Sequence, residues 1–131
     1  MKKLDSEFKY LVDMYEDPYF PTFLVDKLKL HIVKVVHFIE ENTYTVEEVQ
    51  EKLDEMTLAI NELQNEFDQN DSEIETVARD SIATTVEEIL QYFGLDIDME
   101  EAIREREWWI KSEYILTSFK RKAVAYGIAT A

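Results

Sequence analysis

The sequence predicts an all-α fold: a helical bundle of four to five main helices. Three observations predict it. The 131 residues include only two Gly and two Pro, too few for the turns of a β-rich chain. Apolar residues recur three and four apart in successive segments. Those segments are punctuated by capping patterns: Thr45 with Glu48, Ser72 with Glu75, and Asp98 with Glu101. A hydrophobic content of 46% is enough to build one core and argues against global disorder.

The first element is expected where Leu4, Phe8, Leu11, Val12 and Tyr15 recur, as a helix of about three turns. Pro18 and Pro21 end it, because each proline drives the preceding residue to extended backbone. Pro21 suits the first position of the next helix, which runs to about Glu41. Leu24, Leu28, Ile32, Val35 and Ile39 form its stripe. Leu30, Val33, Val36 and Phe38 widen that stripe almost around the helix, which predicts a central, buried element.

The third segment carries the strongest period: Val46, Val49, Leu53, Met56, Ile60, Leu63 and Phe67. Its flanks hold no ordered charge code, so bundle packing is favoured over a dimeric coiled coil. The fourth is expected to start at the Ser72 cap, with Ile74, Val77, Ala78, Ile82, Val86, Ile89 and Phe93 as its stripe and Gly94 as its stop. The last is expected from about Met99 to Tyr126, with its face shifting near Glu105–Trp109. One domain results: a short N-terminal helix and proline turn (1–20), a core bundle (21–107) and a basic C-terminal helix (108–131).

The chain carries 29 acidic and 14 basic side chains, a net −15. Nucleic-acid phosphates and anionic membrane surfaces repel such a chain, so neither is an expected partner. No apolar run approaches the roughly 20 residues of a membrane span. Cysteine is absent, and Asp5 and Glu7 interrupt any signal-peptide pattern, so a cytoplasmic location is expected. Acidic charge gathers at residues 40–55 (including Glu47, Glu48 and Glu51) and at residues 62–80, each summing to −6. From Trp108 onward, Lys111, Lys120, Arg121 and Lys122 outweigh Glu113. That basic end either complements a helix dipole or docks between chains, making a homo-oligomer through the C-terminal helix one expectation.

Several chemistries lack their residues. With only Gly94 and Gly127, neither a nucleophile elbow nor a phosphate-binding glycine loop can be written. His31 and His37 lie six apart on one helix, so their rings point roughly 120° from each other. Neither has a Glu three residues before it, as a di-iron bundle requires. Counting from Asp68, Glu73 and Arg79 stand where a calcium loop needs Gly and Glu. No catalytic residue, metal ligand or cofactor is therefore assigned.

What remains points to binding. Phe8, Tyr10, Tyr15, Tyr19, Phe20 and Phe23 fall within sixteen residues, and either plug one end of the bundle or form an aromatic surface for a partner. Trp108 and Trp109 are adjacent, so one can face inward and the other outward. The candidate interface is Tyr15, Tyr19, Phe20, Trp108, Trp109, Glu47, Glu48 and Glu51. The expected function is a non-enzymatic protein–protein interaction module, such as a toxin-neutralising or immunity-type protein with a basic partner. The alternative is a bundle that binds a small ligand or hard metal ion through converging carboxylates, Tyr and His, drawn from His31, Glu40, Glu73 and Asp80.

The stretch Met14–Lys29, MYEDPYFPTFLVDKLK, resembles the N-terminal signature of a small bacterial family of unknown function. SEIETVAR at Ser72–Arg79 and the run Gly94–Trp108, ending in REREW, are also similar to it. The resemblance covers about Lys9–Trp108. It implies a helical domain and transfers no catalytic residue; the chain after Trp108 departs from the pattern.

Overall fold

The computed structural model describes residues 2–108. Trp109 and nearly all of the expected basic C-terminal helix lie outside the described residues. The fold is all-α. Three long helices, α2 (Thr22–Glu41), α3 (Val46–Gln69) and α4 (Thr76–Tyr92), are joined by two single-turn helices, α1 (Val12–Glu16) and α5 (Met99–Ala102).

Helices α2 and α3 form an antiparallel pair: Lys27 meets Glu66 at one end, and Lys52 lies 5.3 Å over the Phe38 ring at the other. The N-terminal segment ties the far ends of α2 and α4 together. Leu4 N–H donates to Glu40 at 2.7 Å, Lys2 donates to the Tyr92 carbonyl at 2.6 Å, and Tyr92 Oη donates to the Lys3 carbonyl at 2.9 Å. The long helices thus run up, down and up, and Ile32, Val35, Leu53, Met56, Val86, Ile89 and Leu90 meet at their centre.

Helix α3 forms as its sequence dictates. The Thr45 hydroxyl accepts from Glu48 N–H at 3.2 Å while the Glu48 carboxylate accepts from Thr45 N–H at 2.9 Å, a complete capping box. Val49, Leu53, Met56, Ile60 and Phe67 are buried, whereas Val46 at the entry is half exposed. A second face of α3, at Gln50, Asp54, Thr57 and Asn61, receives the segment after α4. Asn61 donates to the Glu105 carbonyl at 2.7 Å and accepts from Glu107 N–H at 2.9 Å. Asp54 takes a two-pronged bond from Arg104 at 3.1 and 2.7 Å, and Gln50 donates to the Glu101 carbonyl at 2.8 Å. Ala102, Ile103 and Trp108 are thereby buried.

Several expectations need correction. The three-turn first helix is one turn, because Leu11 adopts left-handed backbone (φ 51°) and stops the periodic segment there. A leucine in that region is strained by about 1–2 kcal/mol. Its side chain is fully buried and its N–H bonds Thr85 Oγ1 of α4 at 3.1 Å, so tertiary contacts decide its conformation. Helix α4 begins at Thr76, four residues after the expected Ser72 cap. Ser72 instead closes α3: its N–H donates to the Phe67 carbonyl at 2.9 Å and Asp71 N–H to the Asp68 carbonyl at 3.2 Å, with Asp71 left-handed at φ 55°. That is a Schellman end, and Gly94 makes the same one after α4 at φ 69°. Pro21 is the residue before α2, not its first helical residue. Helix α2 is also less central than expected, since Phe23 and Leu30 are about half exposed on its outer side. Asp98 does cap α5, through Glu100 N–H at 3.0 Å, but that helix stops at Ala102, short of the expected break.

Candidate interaction surface

The Asp17–Pro21 corner is held by short local bonds. Asp17 Oδ1 accepts from Tyr19 N–H at 2.9 Å and its carbonyl accepts from Phe20 N–H at 3.1 Å. Phe20 drops into the core, and the Tyr19 ring packs edge-on against it at 5.1 Å while staying 40% exposed. Tyr15 Oη donates to Asp26 at 2.6 Å, which fixes that ring beside α2. Phe23 projects from the first turn of α2 with Lys27 over its ring at 5.8 Å.

Beside this corner an open cleft of about 530 Å³ runs along α1, lined by Phe8, Tyr10, Val12, Tyr15, Lys9 and Lys29 among others. Phe8 and Tyr10 stack edge to face at 5.0 Å, and Lys29 sits 5.2 Å over the Tyr10 ring. Of the six clustered aromatics, only Phe20 is a core residue; Phe8 and Tyr10 are half-buried against the core, and Tyr15, Tyr19 and Phe23 reach the surface.

Burial, then hydrogen bonding and charge from Asp26, push the Tyr15 phenol well above its ordinary value. Tyr19 is raised by burial and by the carboxylates of Glu75, Glu73 and Asp68. Tyr10 is raised by burial and by Glu40. Asp68, Glu73 and Glu75 are exposed and pair with no cation among the described residues.

The expected interface set is divided by the fold. Tyr15 and Tyr19 share the corner. Phe20, 4% exposed, and Trp108, 1% exposed, offer no surface, because each fills the core. Glu47, Glu48 and Glu51 lie in the first turns of α3, whose length puts them roughly 30 Å from Asp68. Glu48 is also committed to its cap. The acids whose charge reaches Tyr19 come instead from the 62–80 cluster, at the end of α3 and in the α3–α4 connection. Sequence spacing could not reveal that pairing, since about fifty residues separate Tyr19 from Glu73.

The ligand set of the alternative reading is scattered. Glu40 accepts from Leu4 N–H, Glu73 and Asp80 are exposed, and His31 lies half-buried between α2 and α3. Among the described residues no three His, Asp or Glu side chains are placed to hold a metal ion. His31, Lys34, His37, Phe38, Lys52 and Met56 do line a groove of about 420 Å³. Burial, with Lys34 nearby, lowers the His31 pKa.

Residues 4–108 match the family described as a family of unknown function (DUF5713), and the chain belongs to that family. The match starts at residue 4 instead of 9 and ends, as the resemblance does, at Trp108. No curated protein and no solved structure matches the chain. Among the described residues no helix is long and apolar enough to cross a membrane.

Proposed function

Because the chain belongs to a family of unknown function, its surface has to carry the functional reading, and we propose that this is a non-enzymatic module that binds another protein. The observation that carries the reading is the corner itself. Tyr15 and Tyr19 are exposed on rings held by the Asp26 bond and by packing against Phe20, and Phe23 is exposed on the first turn of α2. Rigid aromatics lose little conformational entropy on binding and are frequent interface anchors. A net charge of −15 favours a basic partner and speeds its approach. A toxin-neutralising or immunity-type protein is the concrete form of this reading, since such a protein covers a basic surface and performs no reaction of its own.

The test is capture of partners from the native host by the intact protein and by a Tyr15→Ala/Tyr19→Ala variant of verified helicity. A basic protein retained by the first and lost by the second is the expected result. Equal retention by both would sink the surface.

A second reading rests on the α2–α3 groove, whose apolar floor and polar rim suit a small ligand. It differs from the expected carboxylate site because its rim is Lys34, Lys52, His31 and His37 with Glu41 and Glu55. Thermal-shift screening of the protein against Met56→Lys checks it: stabilisers that act equally on both exclude the groove.

A further inference from the structure

Both histidines of this chain line the groove between α2 and α3. Val35 and Met56 are buried and make its apolar floor, with Ala59 partly buried one turn from Met56. The charges around that floor are not evenly answered. Lys52 pairs with Glu55 at 3.4 Å and lies 5.3 Å over the Phe38 ring. His37 and Glu41 are one turn apart on α2. That leaves Lys34, one turn from His31 on the same helix. Among the described residues neither Lys34 nor His31 makes a side-chain hydrogen bond or an ion pair. Lys34 is exposed, and its charge acts on the half-buried His31 ring. An ammonium and an imidazole N–H thus stand unengaged beside an apolar trough of about 420 Å³.

Ligand classes fit this arrangement unequally. A cation is repelled by Lys34. A neutral amphiphile covers the floor and leaves the ammonium unused. A carboxylate has two oxygens for two donors, and charge-assisted bonds to it are the strong ones. A second negative charge on the ligand is opposed by the net −15 of the chain. We propose that the α2–α3 groove binds a small monocarboxylate with an apolar tail, its head held by Lys34 and His31 and its tail lying on Val35, Met56 and Ala59. This rests on the groove reading given above and names the ligand class that the groove takes.

The experiment titrates the intact chain with octanoate, octanol, octylammonium and octyl phosphate, followed by proton NMR of the two histidine rings. Octanoate is expected to bind roughly tenfold tighter than octanol or octylammonium, the worth of one charge-assisted hydrogen bond. Lys34→Gln should erase that preference and Lys34→Arg should keep it; the position is exposed, so both variants fold. A bound carboxylate favours the charged imidazole. Octanoate should therefore raise the His31 pKa from its lowered value, and affinity should grow as the pH falls from 7.5 to 6. The charged and titratable groups on the two walls are Lys34, His37 and Glu41 of α2 and Lys52 and Glu55 of α3. His37 is the second imidazole among them, so His31→Gln should lose the pH dependence and His37→Gln should retain it. Absence of octanoate binding, equal or tighter binding of any of the other three probes, an unchanged preference in Lys34→Gln, or a larger pKa rise at His37 overturns the carboxylate site. If octanol binds as well as octanoate and Ala59→Glu abolishes both, the groove reading stands and the carboxylate assignment falls. If Ala59→Glu leaves octanoate binding intact, the tail does not lie in the groove and the proposal falls with it.

Discussion

His31 shows how one residue's surroundings set its chemistry. It lies half-buried on α2 against α3, with Lys34 one turn on and Lys52, Glu55, Glu41 and His37 around the same groove. Burial disfavours its charged form, and Lys34 adds to that, so its folded pKa is below the usual 6.5. The unfolded chain therefore binds a proton that the folded chain resists. Stability from this residue is full above the unfolded value, declines as pH falls through it, and is fully lost below the folded pKa. Urea unfolding between pH 7.5 and 5 should show this component in the native protein, and His31→Gln should lack it. Parallel pH profiles for the two proteins would contradict the burial argument.

Helix ends in this protein were partly legible and partly ambiguous. Thr45 with Glu48 is read correctly because its two reciprocal bonds are local. Ser72 with Glu75 has the same spelling and no cap, because Ser72 is already engaged in ending α3. The two Schellman ends differ in one useful way: Gly94 is left-handed without strain, whereas Asp71 holds that conformation with a side chain attached. Asp71→Gly should raise stability by about 0.5 kcal/mol, and Gly94→Ala should lower it by about 1 kcal/mol although space is open around it. Urea midpoints measure both, and a loss on Asp71→Gly would show that its side chain does more than tolerate the turn.

Across the whole molecule, the segment after α4 is held to the bundle by polar bonds from a single face of α3. Asn61 is central, because its amide satisfies backbone groups on both sides of Arg106. Asn61→Ala leaves a carbonyl and an N–H without partners and should cost about 2 kcal/mol. Hydrogen exchange supplies the sharper readout: the Glu107 amide should exchange much faster, and amides within α2 should change only with global stability. If α2 and Glu107 lose protection equally, the segment unfolds only with the bundle and Asn61 is not its fastening.

The sequence by itself determined the helical class, the three long helices, the α3 stripe from Val49 to Phe67 and the Gly94 stop. Each follows from periods and bonds that span a turn or two, so local physics suffices. It also named Tyr15 and Tyr19 as surface candidates. Only the tertiary structure decided that Leu11 breaks the first helix, that Phe20 and Trp108 belong to the core, and that Glu47 and Glu51 lie far from the aromatic corner. Burial and charge pairing depend on which elements pack together, and that choice is made by contacts between residues far apart in the chain. Tyr19 came within electrostatic reach of Glu75, Glu73 and Asp68 in the same way, through folding that acts across more than forty residues of chain.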